Sequence, residues 1–217
     1  MFPILNTDLA VFKCFACNLK NACATYEHIL GCPGGKGNIG RHTELLILNM
    51  EHYSTVNIHA TFEPGPVSHE TKKKADIRAV GYNLPPRHAD WAVVSPGSQV
   101  YAQYASTTPL HAASNVKFNQ KNGKHFKVHE DANVEFVLYI IESTGAFHPR
   151  VVQDILALST VPGADNLPIH HAPNITNAYQ FWACTYSIAA VRATVQKQID
   201  ACASAYRKII AHLPSSQ

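Results

Sequence analysis

Hydrophobic positions change their period several times along the chain, and each change predicts an element. Over 41–53, Leu45 and Leu48 recur at helical spacing, as do Leu46, Met50 and Tyr53, so one side of a helix is apolar. Over 56–62 the period falls to two: Val56, Ile58, Ala60 and Phe62 alternate with other residues until Glu63-Pro64 stops the run, which predicts a strand. Two more short strands are expected at 75–81 and at 90–95, the second closed by Pro96-Gly97 and apolar enough to be covered on both faces. A basic helix is expected at 109–127, with Gly123 counting against it. The strongest strand follows at 134–142, where Val134, Phe136, Val137, Leu138, Ile140 and Ile141 share one run. A helix at 149–158 leads to a loop containing Pro162, Gly163 and Pro168. The tail reads as a long amphipathic helix packing on the core, with Ile188, Val191, Val195, Ile199, Cys202, Tyr206 and Ile209 recurring every three or four residues. Helix, three strands, helix, strand and helix make an α/β fold with helices against a central sheet.

Composition adds bounds. A chain of 217 residues holds one or two domains, and 46% hydrophobic against 15% charged residues describes a globular protein. No apolar run reaches the roughly 18 to 20 residues of a membrane-spanning helix, so a soluble protein without a membrane partner is expected. No basic flank leads into an apolar core after Met1, so no secretion signal is expected. The net charge of +3 is compatible with nucleic acid without arguing for it. Lysines do cluster, at Lys72, Lys73 and Lys74 and again at Lys117, Lys121, Lys124 and Lys127, although such runs are commonly just solvated faces.

Residues 1–40 are short and punctuated, and they end in Cys32-Pro-Gly-Gly-Lys-Gly, which reads as a boundary. Four of the six cysteines fall within 14–32, a clustering that points to metal rather than to disulfides. Cys14 and Cys17 form a CxxC pair, and His28 and Cys32 follow with the spacing of a CCHC zinc knuckle. Zinc takes four such ligands tetrahedrally, and with all four positions filled by protein the site is structural. A segment this short cannot build its own core, so metal binding would supply much of its folding energy. Cys23 offers a substitute thiolate at a less usual distance from His28, and Cys184 and Cys202, on helix-patterned sequence, read as buried cysteines.

Two expected strands each carry an aspartate, Asp76 in Lys-Ala-Asp-Ile-Arg and Asp90 in His-Ala-Asp-Trp-Ala. Carboxylates from adjacent strands can hold a hard divalent cation through oxygen, and such an ion can stabilise charge on a phosphodiester. Aspartates at strand ends also commonly do no more than cap or solvate a turn.

Taken in order, these features resemble the restriction-like endonuclease region of non-LTR retrotransposon proteins, a branch of the PD-(D/E)XK nuclease superfamily. The resemblance spans roughly 14–206. It rests on the CCHC knuckle ending in Cys32-Pro-Gly-Gly, on Arg41-His42-Thr43 where the family has Arg-His-Asn, and on Glu63-Pro64 closing a strand. It continues through Ala75-Asp76-Ile77 in place of Pro-Asp-Ile, Asp90-Trp91-Ala92-Val93-Val94, Lys121-x-x-Lys124, Glu142-Ser-Thr-Gly145, and a helix around Trp182 and Arg192.

The resemblance implies a zinc knuckle at 1–40, a restriction-endonuclease-like α/β/α nuclease core at 41–160, and a loop with a C-terminal helix packing on the core at 161–217. It implies a DNA endonuclease that uses magnesium or manganese to nick target DNA, so that a reverse transcriptase can prime from the free end. Asp76 and Asp90 would be the metal ligands, and Lys121 the lysine that orients water or neutralises phosphate, with Lys117 its close competitor. Arg41, His42, Lys117 and Lys124 would lie along DNA, with Arg41 suited to grip phosphate through two hydrogen bonds. Glu44 or Glu63 would supply a further acidic ligand. DNA, the element RNA and the reverse transcriptase region would be partners, and the nucleus the location. Three departures stand out: Ala75 for proline, Thr43 for asparagine, and Ala92 where the simplest members carry lysine. The last makes hydrolysis depend on the helical lysine, and the alternative is an inactive module that holds nucleic acid through its phosphates.

Overall fold

The computed structural model describes residues 37–62, 74–81, 84–98, 101, 104, 111–164, 167 and 175–211. The expected zinc ligands Cys14, Cys17, His28 and Cys32 lie outside them, as do Cys23, Glu63, Lys72 and Lys73 and the side chains of Arg41 and Cys202.

The described elements run α1 (Gly37–Thr55), β1 (His59–Phe62), β2 (Ile77–Gly81), β3 (Leu84–Val94), α2 (Ala112–Asp131), β4 (Glu135–Glu142), α3 (Pro149–Leu158) and α4 (Ala178–Ala211). The strands form one mixed sheet in the order β1-β2-β3-β4. The first three make an antiparallel meander, and β4 joins β3 in parallel from Arg87↔Glu135 to Val94↔Glu142. Parallel neighbours need a crossover, and α2 supplies it. The chain is thus an α/β protein, as its periodicity predicts.

Alternation along β3 divides the two faces of the sheet. Ala89, Trp91 and Val93 join the larger core with Leu45 and Tyr53 of α1, Ile155 of α3, and Trp182 and Tyr186 of α4. Ala92 and Val94 join Ile140 of β4 and Ala113 of α2 on the opposite face. Trp91 locks β3 in place: its ring stacks on Tyr139 with centroids 4.7 Å apart, and its Nε1 donates to Asn49 Oδ1 of α1 at 3.1 Å. Truncating such a buried aromatic costs about 3–5 kcal/mol.

Several expected boundaries move. β1 begins at His59 rather than 56, because Asn57 takes a left-handed turn (φ 56°) in which Val56 and Ile58 are already buried. β3 starts six residues before the expected 90, at Leu84, and so includes Pro85 and Pro86. Both prolines lie before the first pair with β4 at Arg87, beside an irregularity in the β2 register, where a missing N–H breaks no ladder. The tail helix corrects the expectation most. Ile188, Val191, Val195 and Ile199 are exposed, and the buried side consists of Ala178, Trp182, Tyr186, Ala189, Ala190, Thr194 and Lys197. The helix meets α1 and the Gly145 turn through small and aromatic residues, a face that the Ile/Val spacing does not report. Cys184 is exposed, not buried.

Candidate metal centre

Register brings the two aspartates together. Ile77 pairs with Ala89 in the antiparallel ladder, so one step further the residues facing each other are Asp76 and Asp90. The Asp76 N–H donates to Ala89 O at 3.0 Å, which fixes the mouth of β2. Directly opposed residues of such a pair stand about 4.5–5.5 Å apart at Cβ, within reach of a shared ion. The Trp91 N–H donates to Asp76 Oδ2 at 2.7 Å, so the stacked tryptophan that anchors β3 also aims this carboxylate.

The helices add the other groups. His42, in the second turn of α1, bonds Asp76 Oδ2 through Nε2 at 2.9 Å. Lys121 of α2 donates from Nζ to Asp90 Oδ2 at 2.6 Å and to Trp91 O at 3.3 Å. Asp90 is buried, whereas Asp76, His42 and Lys121 around it are half-buried, so the cluster is partly open to solvent. Lys117 is half-buried one helical turn before Lys121, and Lys124 is exposed one turn after it.

The electrostatics follow from this crowding. Burial works to raise the Asp76 carboxyl, but hydrogen bonds with His42, Asp90 and the Trp91 N–H hold it well below the usual carboxylate range. Asp90 moves the other way: burial and the neighbouring Asp76 push it far above that range, against the pull of the Lys121 ammonium. The hydrogen bond to Asp76 raises the His42 imidazole above its ordinary value despite burial. Burial, then Lys121 and Lys124, lower Lys117. Two carboxylates and an imidazole therefore share a space where two full negative charges are uncomfortable and a cation would be welcome.

His42, Asp76 and Asp90 each offer one donor atom, and these three atoms lie within 4.8 Å of one another, the one such group of His, Cys, Asp or Glu among the described residues. Two carboxylate oxygens suit magnesium or manganese. The donor set therefore fits a divalent cation. The structure brings Asp76, Asp90 and Lys121 together. Glu44 does not join them, because it pairs with Arg192 of α4. The position of His42 against Asp76 is what sequence reasoning missed. They are 34 residues apart, on a helix and at a strand mouth, and no spacing rule connects them.

Arg87 forms a second charged cluster, pairing with Glu135 at 2.8 Å and with Asp154 at 3.0 Å, where Tyr139 also donates to Asp154. Each charge there already has its partner, so this cluster ties β3, β4 and α3 together. Compared with known proteins, no family model matches this chain, and no curated protein matches it.

Proposed function

We propose that this chain is a metal-dependent DNA endonuclease with a restriction-endonuclease-like core, which nicks target DNA for integration of a retroelement. The observation that carries the reading is the convergence of the Asp76 and Asp90 carboxylates at one point, with the Lys121 ammonium against Asp90. The mixed four-stranded sheet with its helices is an α/β arrangement, which is the coarse class such a core belongs to. Fold alone proves no activity.

Within this reading, Asp76 and Asp90 hold a magnesium or manganese ion. When bound, that ion supplies Lewis-acid stabilisation of charge on the phosphodiester and acidifies water for attack. The Trp91 N–H and the Ala89 carbonyl of β3 hold Asp76 where it would ligate such an ion. Lys121 donates to Asp90 Oδ2 and to Trp91 O, and in this reading it neutralises phosphate charge or orients water. Lys117 adds positive charge on the same side of α2, and Arg41 and Lys124 meet the DNA backbone through phosphate oxygens. Cys14, Cys17, His28 and Cys32 form a structural zinc knuckle at 1–40, ahead of a core at 41–160 and a tail at 161–217. Zinc content of one ion per chain, lost in Cys17→Ser, is its check. DNA, element RNA and the parent reverse transcriptase are the partners, and the nucleus is the site of action.

Supercoiled plasmid separates this function from simple binding. The wild type is expected to nick it with magnesium or manganese, whereas Asp76→Ala and Asp90→Ala retain binding in gel shift and lose nicking. DNA binding with no nicking in either metal would refute the enzyme and leave a nucleic-acid-binding module.

A further inference from the structure

Resting on the reading of Asp76 and Asp90 as cation ligands, we infer that His42 is a third protein ligand through Nε2 and favours manganese over magnesium at the site. The separation of His42 Nε2 and Asp76 Oδ2 is 2.9 Å. Two adjacent ligands of an octahedral ion with arms of about 2.1 Å are about 3.0 Å apart, so the present hydrogen bond spans the same edge that an ion would use. The third donor, on Asp90, lies within 4.8 Å of both.

The ring also has little else to do with that nitrogen. His42 is half-buried on α1, and its Nε2 points at the carboxylate pair instead of into the core formed by Leu45 and Leu46. A cation entering between the carboxylates would displace the proton that Nε2 now donates to Asp76 and release it to solvent, leaving the nitrogen lone pair to serve as a ligand. Its immediate shell becomes one nitrogen and two oxygens from the protein. Magnesium favours oxygen and keeps much of its water, whereas manganese, equally at home with carboxylate, is a first-row transition ion that takes an imidazole more readily than magnesium does. An imidazole ligand therefore shifts preference toward manganese relative to magnesium. His42 in this role touches the cofactor, unlike a residue that merely grips the DNA backbone.

The test uses the full-length zinc-loaded chain and manganese alone as the probe. Electron spin echo envelope modulation of the bound manganese is expected to show nitrogen coupling that disappears in His42→Ala. Manganese affinity, titrated by electron paramagnetic resonance with magnesium as competitor, is expected to fall by at least about 10- to 100-fold in that variant, the loss that even an outer-shell partner of a ligand produces. Magnesium affinity should change several-fold less. His42→Asp, which restores an oxygen donor, should bring magnesium closer to parity with manganese. Circular dichroism of both variants checks that they fold. Bound manganese without nitrogen coupling, or an unchanged manganese-to-magnesium ratio in His42→Ala, overturns the role of His42 and leaves the carboxylate pair standing. Manganese uptake indifferent to Asp90→Asn overturns both together.

Discussion

Replacing Lys121 with methionine removes the ammonium from the centre of the site while keeping the length of the side chain. Its Nζ lies 2.6 Å from Asp90 Oδ2, with 22% of the lysine side chain and 8% of the aspartate side chain exposed. A charge-assisted hydrogen bond in such a setting contributes about 1.5–3 kcal/mol. The loss is not uniform in pH, because Asp90 can take up a proton instead of remaining an unpaired buried anion. Burial and Asp76 already raise its carboxyl far above the ordinary range, and Lys121 is what opposes them. Without the ammonium the folded-state value climbs further. A carboxyl raised in the folded state is stabilising in its protonated form, and that stabilisation is lost as pH rises. The gap between wild type and Lys121→Met should therefore widen with pH by at most about 1.4 kcal/mol per unit. Urea denaturation without added divalent cation should find the two within about 0.5 kcal/mol at pH 5.5, as for an ordinary tolerated substitution. At pH 8.5 the variant should be about 1.5–3 kcal/mol less stable, the full worth of the lost bond. Nicking at pH 8 should fall about 100- to 1000-fold, the usual effect of removing one group that meets developing charge. A stability gap of the same size at both pH values would refute the reasoning about Asp90.

Two further predictions concern the scaffold that holds the site. His52 is fully buried, stacked on Trp182, and desolvation depresses its imidazole from 6.5 to about 3. The unfolded chain then binds this proton first, so stability falls as pH drops below about 6.5, by up to about 5 kcal/mol at pH 3. His52→Phe should flatten that slope in urea titrations between pH 7 and 4, and an identical slope in both proteins would contradict the assignment. Gly145 takes a φ of +90°, and an added Cβ would lie 3.3 Å from Ser187 Cβ, Ser187 O and Val191 Cγ2. Gly145→Ala should cost about 1–3 kcal/mol through strain at the β4–α4 junction, measured by urea denaturation, and a change below the error of the assay would count against it.

Legibility from sequence followed the strength of local signals. The register that joins Asp76 to Asp90 was within reach, because each aspartate sits one residue from an apolar strand residue that pairs across the sheet, Ile77 with Ala89. Lys121 needed more: its reach to Asp90 depends on how the crossover helix lies over β3 and β4, and only resemblance suggested it. For His42 the resemblance implies a DNA contact and says nothing of Asp76, since the fold of α1 against the mouth of β2 decides that meeting. On α4 the strong Ile/Val period misleads, because the buried side is carried by small and aromatic residues such as Ala189, Ala190, Trp182 and Tyr186, while Ser187 and Val191 meet the Gly145 turn. The α2 helix survived Gly123 because that glycine is exposed, with no atom within 4 Å of an added Cβ.

The most direct measurement is a crystal of the full chain soaked in manganese, with diffraction recorded at a wavelength where that ion scatters anomalously. The account predicts one peak bonded to an oxygen of Asp76 and an oxygen of Asp90, with His42 Nε2 in the same shell and Lys121 beside it. No peak between the two carboxylates at saturating manganese would contradict it.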